Sequence, residues 1–312
     1  MRLSPHSKSA PLIPLRFILL AVLALGLAAP AASAQDDSAP DTAVPKGAEL
    51  ETFEQQRDFF MDQWPQLKAR LEEGGPEAGI AWINNTFTND LERRVLYAYA
   101  RMGVVQQEWD GRNLDAYIPI AEAGIAECLR QAEAAEDEET KNRRNNTANV
   151  ISYNLGADLA FCWDDEFEHT EAHFRRGLKA GEDCIRWRHE LGNPPMTLSM
   201  AHWLRGIHRL ALEDSAGALE DFSESLRYAE SAVAADGGST SIEGGNGSIL
   251  LGHGWVSLTK LIMGDESARG EYDQVMDIFR EQLEGDDEHA AEDARWYVMQ
   301  LSKIENMKLG DG

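Results

Sequence analysis

Two histidines four residues apart, His169 and His173 in the segment HTEAH, are the first candidates for chemistry. Side chains at i and i+4 share one helix face, and such a pair could hold zinc. A metalloprotease helix would place a glutamate directly after the first histidine. Here Glu171 follows by two residues, about 200° round the helix, so that motif's general base is missing. The segment is read as a solvated face carrying both histidines, with a two-ligand metal site completed by Glu166 or another carboxylate as the alternative. Cys128, Cys162 and Cys184 lack the CxxC spacing of a metal knuckle or redox pair. The loop ADGGSTSIEGGNGS opens a helix near Ser248, where backbone amides could cradle a phosphate, but it lacks a Gly-Lys-Ser/Thr ending and carries Glu243. It is read as a flexible connection. No Gly-x-Ser-x-Gly elbow occurs, and acidic runs such as Glu136 to Glu139 are read as solvated faces. Sequons at Asn84, Asn145 and Asn246 matter only where secreted chains are glycosylated. The expectation is a chain without catalytic residues, metal or cofactor.

The whole chain narrows the classes of partner. It has 312 residues with 54 acidic and 29 basic side chains, a formal net charge of −25, which argues against nucleic acid or anionic lipid as a ligand. With 43% hydrophobic residues, a chain of this length buries a sizeable core and needs no disulfide scaffold. Residues 1–34 read as a cleaved signal peptide: Arg2, Lys8 and Arg16, then the apolar run Phe17 to Ala29, then the small-x-small site Ala32-Ser33-Ala34. An uncleaved anchor is the alternative, disfavoured because the run is too short to span a bilayer. Cleavage removes three positive charges, takes the net charge from −25 to −28, and places the product in the periplasm or outside the cell with no membrane anchor. Residues 35–50 mix Asp, Ser, Ala and Pro without periodicity and read as a flexible acidic N-terminal segment. Residues 51–312 read as a single all-helical repeat domain.

Helical periodicity runs almost throughout that domain, with breaks at Gly74-Gly75-Pro76, Asp110-Gly111, Gly192-Asn193-Pro194-Pro195 and the Gly237 to Gly247 loop. The spacing predicts helices over 51–72, 89–109, 113–135, 138–163, 167–190, 196–213, 215–234, 247–263, 269–285 and 287–307, paired as antiparallel hairpins. The second helices overlay on GRNLDAYIPIAEAG, DEFEHTEAHFRRGL, DSAGALEDFSESL and GEYDQVMDIFREQL. In them a small or β-branched residue (Ala116, Thr170, Ala218, Val275) precedes by four a large one (Ile120, Phe174, Phe222, Phe279). Four residues is about one turn, so the small residue permits close helix approach and the large one fills the gap beside it. The large residues lie 54, 48 and 57 apart. Cys128 and Cys184, eight and ten residues past Ile120 and Phe174, fall at similar depth on successive second helices. Two readings stand for them: inert packing thiols, or one disulfide in an oxidising compartment.

These segments resemble the tetratricopeptide repeat family over roughly Asn89 to Asn306, most closely at GEYDQVMDIFREQL and DSAGALEDFSESL, with Gly206 in the place of that family's first-helix glycine. The unit here is longer than the family's 34 or so residues, and the first-helix Trp-Leu-Tyr pattern and closing proline are missing. A different α-solenoid, or a helix bundle with coincident spacing, is the alternative. The resemblance implies an all-α, right-handed α-solenoid of four to five hairpins, closed by a capping helix over Asp286 to Leu309. It also implies that first helices line a concave groove, placing Leu155, Leu159, Trp163, Met200, Trp203 and Ile207 toward a partner, although each could equally fill core. The function so implied is a scaffold for a protein or peptide, a basic one given the acidity. Alternatives are an all-helical binder of a small molecule or glycan and, behind it, a helical hydrolase using acidic residues.

Overall fold

The computed structural model describes residues 50–310. The signal peptide expected at 1–34 and all but the last residue of the segment expected at 35–50 lie outside the described residues. Among the described residues there are ten α-helices: α1 (Phe53–Thr86), α2 (Asp90–Val104), α3 (Leu114–Glu133), α4 (Glu138–Asp158) and α5 (Glu171–Glu190), then α6 (Pro195–Ala211), α7 (Ser215–Ala235), α8 (Gly247–Ile262), α9 (Arg269–Glu284) and α10 (Glu288–Leu309). The chain is all-α there, with one isolated bridge between Ser239 and Gly245 and no strand.

Most helix starts are written locally. Asn89, Asn113, Asp137, Thr170, Asp214, Asn246 and Asp287 each accept a hydrogen bond from a backbone N–H of the first turn, while α6 begins at Pro195. These side chains satisfy amides that the first turn of a helix leaves without partners. Gly74-Gly75 breaks α1 as its sequence predicts, Gly75 standing at φ +70°, but the helix resumes through Thr86. The arm 76–86, outside the predicted helices, packs Gly79 so close to Leu67 and Leu71 that a Cβ would fall 2.7 Å from Leu71.

Two predicted spans are shortened. The helix predicted over 138–163 stops at Asp158, and that predicted from 167 begins at Glu171, leaving a corner over 159–170. Thr170 is the N-cap of α5, with its Oγ1 accepting the His173 N–H at 3.3 Å, and is not a packing residue of the repeat.

Consecutive helices pack in chain order from α1 to α10, and α2 also touches α4, as α4 touches α6. Two large apolar cores and a small one of Ala229, Val233 and Ile249 result, and both large cores draw on α4: Ile151 and Leu155, with Leu159 just past its end, enter the N-terminal one, Tyr153 and Ala157 the C-terminal one. With neighbours all round it, α4 is buried almost continuously from Ala148 to Asp158, and its polar residues need partners from adjacent helices. Asp158 accepts Nε and Nη2 of Arg101 at 2.5 and 2.6 Å, and Asn149 accepts Nε of Arg188 at 3.1 Å.

Candidate functional site

The best-formed candidate is a seam of three tryptophans where α10 returns to the middle of the chain. Trp163 lies on the corner after α4, and its indole N–H donates to the Ala157 carbonyl at 2.6 Å, tying the corner to the last turn of α4. Trp203 projects from α6 with its ring centroid 6.0 Å from that of Trp163, and Trp296 of α10 meets Trp163 edge-on at 6.4 Å. Such tilted and T-shaped contacts are the favoured arrangements of aromatic rings. Farther along α10 the Met299 sulfur accepts the Asp164 N–H at 3.3 Å, and the Lys303 ammonium donates to the Trp163 carbonyl. Lys308 pairs with Glu213 just past α6. Thus α10 covers α8 and α9 as a cap would, and also spans back to residues some 140 positions earlier. Trp203 is only 9% exposed, and among the described residues its indole N–H finds no acceptor; nor does Gln300 Oε1 find a donor.

The six residues placed toward a groove divide accordingly. Leu155, Leu159 and Ile207 are fully buried core and line no surface, because α4 and α6 have neighbours on the faces that would have been free. Trp163 and Met200 are half-buried and pack against the C-terminal core. Trp203 is buried in the seam beneath them. Of the repeat positions, Ile120, Ala218, Phe222, Val275 and Phe279 are buried, whereas Ala116 and Phe174 are half-buried. Phe222 stacks on Trp255 at 5.0 Å and lies against Gly206, where a Cβ would come within 2.8 Å of its ring.

The solvated face expected at HTEAH is not what forms. His173 is 3% exposed; its Nδ1 accepts the Thr170 N–H at 3.2 Å, so its Nε2 carries the proton and donates to Asp115 at 2.9 Å. His169 bonds Asp165 at 3.1 Å and faces the Leu159 carbonyl at 3.3 Å. A helix start beside a buried corner enclosed both rings. Among the described residues no group of three His, Cys, Asp or Glu side chains is arranged to hold a metal ion.

The disulfide reading for Cys128 and Cys184 is also corrected: all three cysteines are free and buried. Cys128 belongs to the N-terminal core and Cys184 to the C-terminal one, with α4 packed against the helices of both. Burial pushes the Cys128 thiol up to about 12 and the Cys184 thiol to about 11, so neither is a nucleophile near neutrality. In the glycine-rich loop, Asn246 Oδ1 already accepts the Ser248 and Ile249 amides, the donors a phosphate would need. The depression beside that loop is lined by Glu243, Asp273, Asp277 and Glu281.

Sequence reasoning passed over the ion pairs that bind the helices together. Asp221, 1% exposed, accepts His202 Nδ1 at 3.2 Å and Arg205 Nε at 2.9 Å and pairs with Arg209 at 3.1 Å. Burial pushes its carboxyl up, but these hydrogen bonds and guanidinium charges hold it below the usual range. The spacing of Trp296, Met299 and Lys303 on α10 was a usable signal, since these residues share one helix face. No protein-family model, curated protein or solved structure matches this chain.

Proposed function

We propose that this protein is an exported, non-enzymatic scaffold of tetratricopeptide-like α-solenoid type that holds a helical segment of a protein or peptide partner along the Trp163–Trp203 seam, beside Met200 of α6. The observation that carries the reading is the way α10 sits there: an aromatic ring, a thioether and an ammonium at helical spacing meet the Trp163 ring, the Asp164 N–H and the Trp163 carbonyl, with Trp203 packed on the Trp163 ring. Aromatic anchors of this kind dominate binding energy at interfaces. The acidic depression of Glu243, Asp273, Asp277 and Glu281, with a net charge of −28 once residues 1–34 with their three positive charges are removed from the −25 chain, favours a basic partner that is steered in faster at low salt. No described helix is long and apolar enough to cross a membrane.

A photo-reactive amino acid at position 200 tests the seam. Crosslinks to a partner that diminish when a synthetic peptide of residues 288–309 is added support it; crosslinks confined to the chain's own α10 refute it. Trp203→Ala is expected to weaken partner capture by about 2 kcal/mol or more, the loss typical of a hot spot, while circular dichroism stays helical. Export predicts that N-terminal sequencing of the secreted product begins at Gln35; recovery of an intact residue 1 in membranes would mean an anchor.

A further inference from the structure

Asn246-Gly247 is the only Asn-Gly dipeptide in the sequence, and it stands where the glycine-rich loop enters α8. An asparagine carboxamide and the main-chain N–H that follows it can close an imide ring, at a rate set by how freely the nitrogen approaches the amide carbon. Glycine removes the Cβ that would obstruct that approach. Packing fixes the glycine here, because a Cβ at position 247 would fall 2.7 Å from Cε2 of Tyr297 on α10. A larger residue that would shield Asn246 is excluded by the tertiary structure.

The surroundings of the dipeptide favour ring closure. Asn246 is exposed, so water reaches its carboxamide. Gly247 is the first residue of α8, where a helix leaves the N–H without an internal partner, and its N–H makes no hydrogen bond among the described residues. It can attack without giving one up. Asn246 Oδ1 accepts three donors: Ser248 Oγ at 2.7 Å, and the N–H groups of Ser248 and Ile249, each at 3.2 Å. These donors draw electron density from Cγ and stabilise the oxyanion that forms on attack, as an oxyanion hole does. The other sequon asparagines lack this setting. Asn84 and Asn145 lie inside α1 and α4 and precede Asn85 and Asn146, whose N–H groups belong to the helical ladder.

We propose that Asn246 is a site of spontaneous deamidation through a cyclic imide. The Gly247 nitrogen bonds to Asn246 Cγ and loses its proton, while Nδ2 takes up a proton and leaves as ammonia. Water then adds to either imide carbonyl and opens the ring to aspartate or isoaspartate, so the net change consumes one water and releases one ammonia. Aspartate keeps the cap and adds a negative charge at the positive end of α8. Isoaspartate routes the main chain through the former side chain. It takes the Asn246 carbonyl, which accepts the Leu250 N–H at 3.0 Å, out of the main chain and loosens the turn whose Ile249 packs with Ala229 and Val233. The site is separate from the tryptophan seam and does not depend on the scaffold reading.

Incubation of the purified full chain in neutral buffer made with heavy-oxygen water, followed by peptide mapping in a mass spectrometer, tests the site. The peptide containing Asn246 is expected to convert to aspartyl and isoaspartyl forms that each carry one solvent oxygen, while the peptides with Asn84 and Asn145 stay unchanged. Ser248→Ala removes the shortest of the three donors. It is expected to slow conversion of the folded chain about tenfold, short of the roughly hundredfold loss in a closed oxyanion hole because this one is open to water. In urea, where no cap forms, wild type and Ser248→Ala are expected to react alike. No conversion of the folded chain would show that the cap protects the amide, and equal slowing of the variant in both states would reduce Ser248 to a sequence effect; either result overturns the proposal.

Discussion

At the scale of single residues, burial decides what each polar group does. His208 on α6 is fully enclosed; its Nε2–H donates to the Gly156 carbonyl of α4 at 2.9 Å, and its ring lies so close to Gly177 of α5 that a Cβ there would fall 2.1 Å away. Burial pulls its pKa down to about 4, only partly opposed by the Gly156 hydrogen bond. The unfolded chain therefore binds a proton on this ring from about pH 6.5 downward, whereas the folded chain does so only near 4. Stability contributed by neutral His208 is present above pH 6.5 and is lost as pH falls toward 4, by about 3 kcal/mol if the full shift is realised. Urea titrations between pH 7 and 4.5 should show His208→Gln losing about one proton's worth of the wild-type slope. Identical slopes would mean that the ring charges equally in both states.

At the scale of elements, caps and turns define the helices, and one turn goes against its sequence. Gly192, Gly237 and Gly264 take up φ of +63°, +74° and +89° just beyond α5, α7 and α8. After α6 the same left-handed position is held by Glu213, at φ +63°. A side chain there costs roughly 1 kcal/mol that glycine does not incur. Glu213 also pairs with Lys308, but its carboxylate is largely exposed, and an exposed pair contributes little. Glu213→Gly is therefore expected to raise stability by about 0.5–1 kcal/mol, read as a higher urea midpoint at unchanged slope. A lower midpoint would show that the Lys308 latch on α10 outweighs the strained backbone.

At the scale of the whole molecule, two apolar cores are joined through α4, and the Arg101–Asp158 pair links the second and fourth helices across the join. Both side chains are buried, so removing one charge leaves the other without compensation. Asp158→Asn is expected to cost about 3–5 kcal/mol, measured by denaturant unfolding, while the double variant Arg101→Met/Asp158→Leu recovers much of that loss. A small cost for the single variant would show that water reaches the pair. The closing of α10 onto Trp163 belongs to this scale as well, because its contacts bring residues near 300 to residues near 160.

The sequence by itself determined where most of the helices start. Their caps, glycine turns and apolar spacing are local signals, read within one or two turns of chain, and Asn89, Asn113, Asp137, Asp214, Asn246 and Asp287 each stand at a predicted start or within a residue or two of it. The buried positions Ile120, Phe222 and Phe279 follow from the same short-range pattern. Residues 159–163, predicted as the end of a helix, form part of the corner instead, because their apolar residues, Phe161 and Cys162, are inward-facing in either conformation. Only the tertiary structure decided which faces stay open. Leu155 and Leu159 are apolar whether they line a groove or fill a core, and their burial depends on helices placed all round α4.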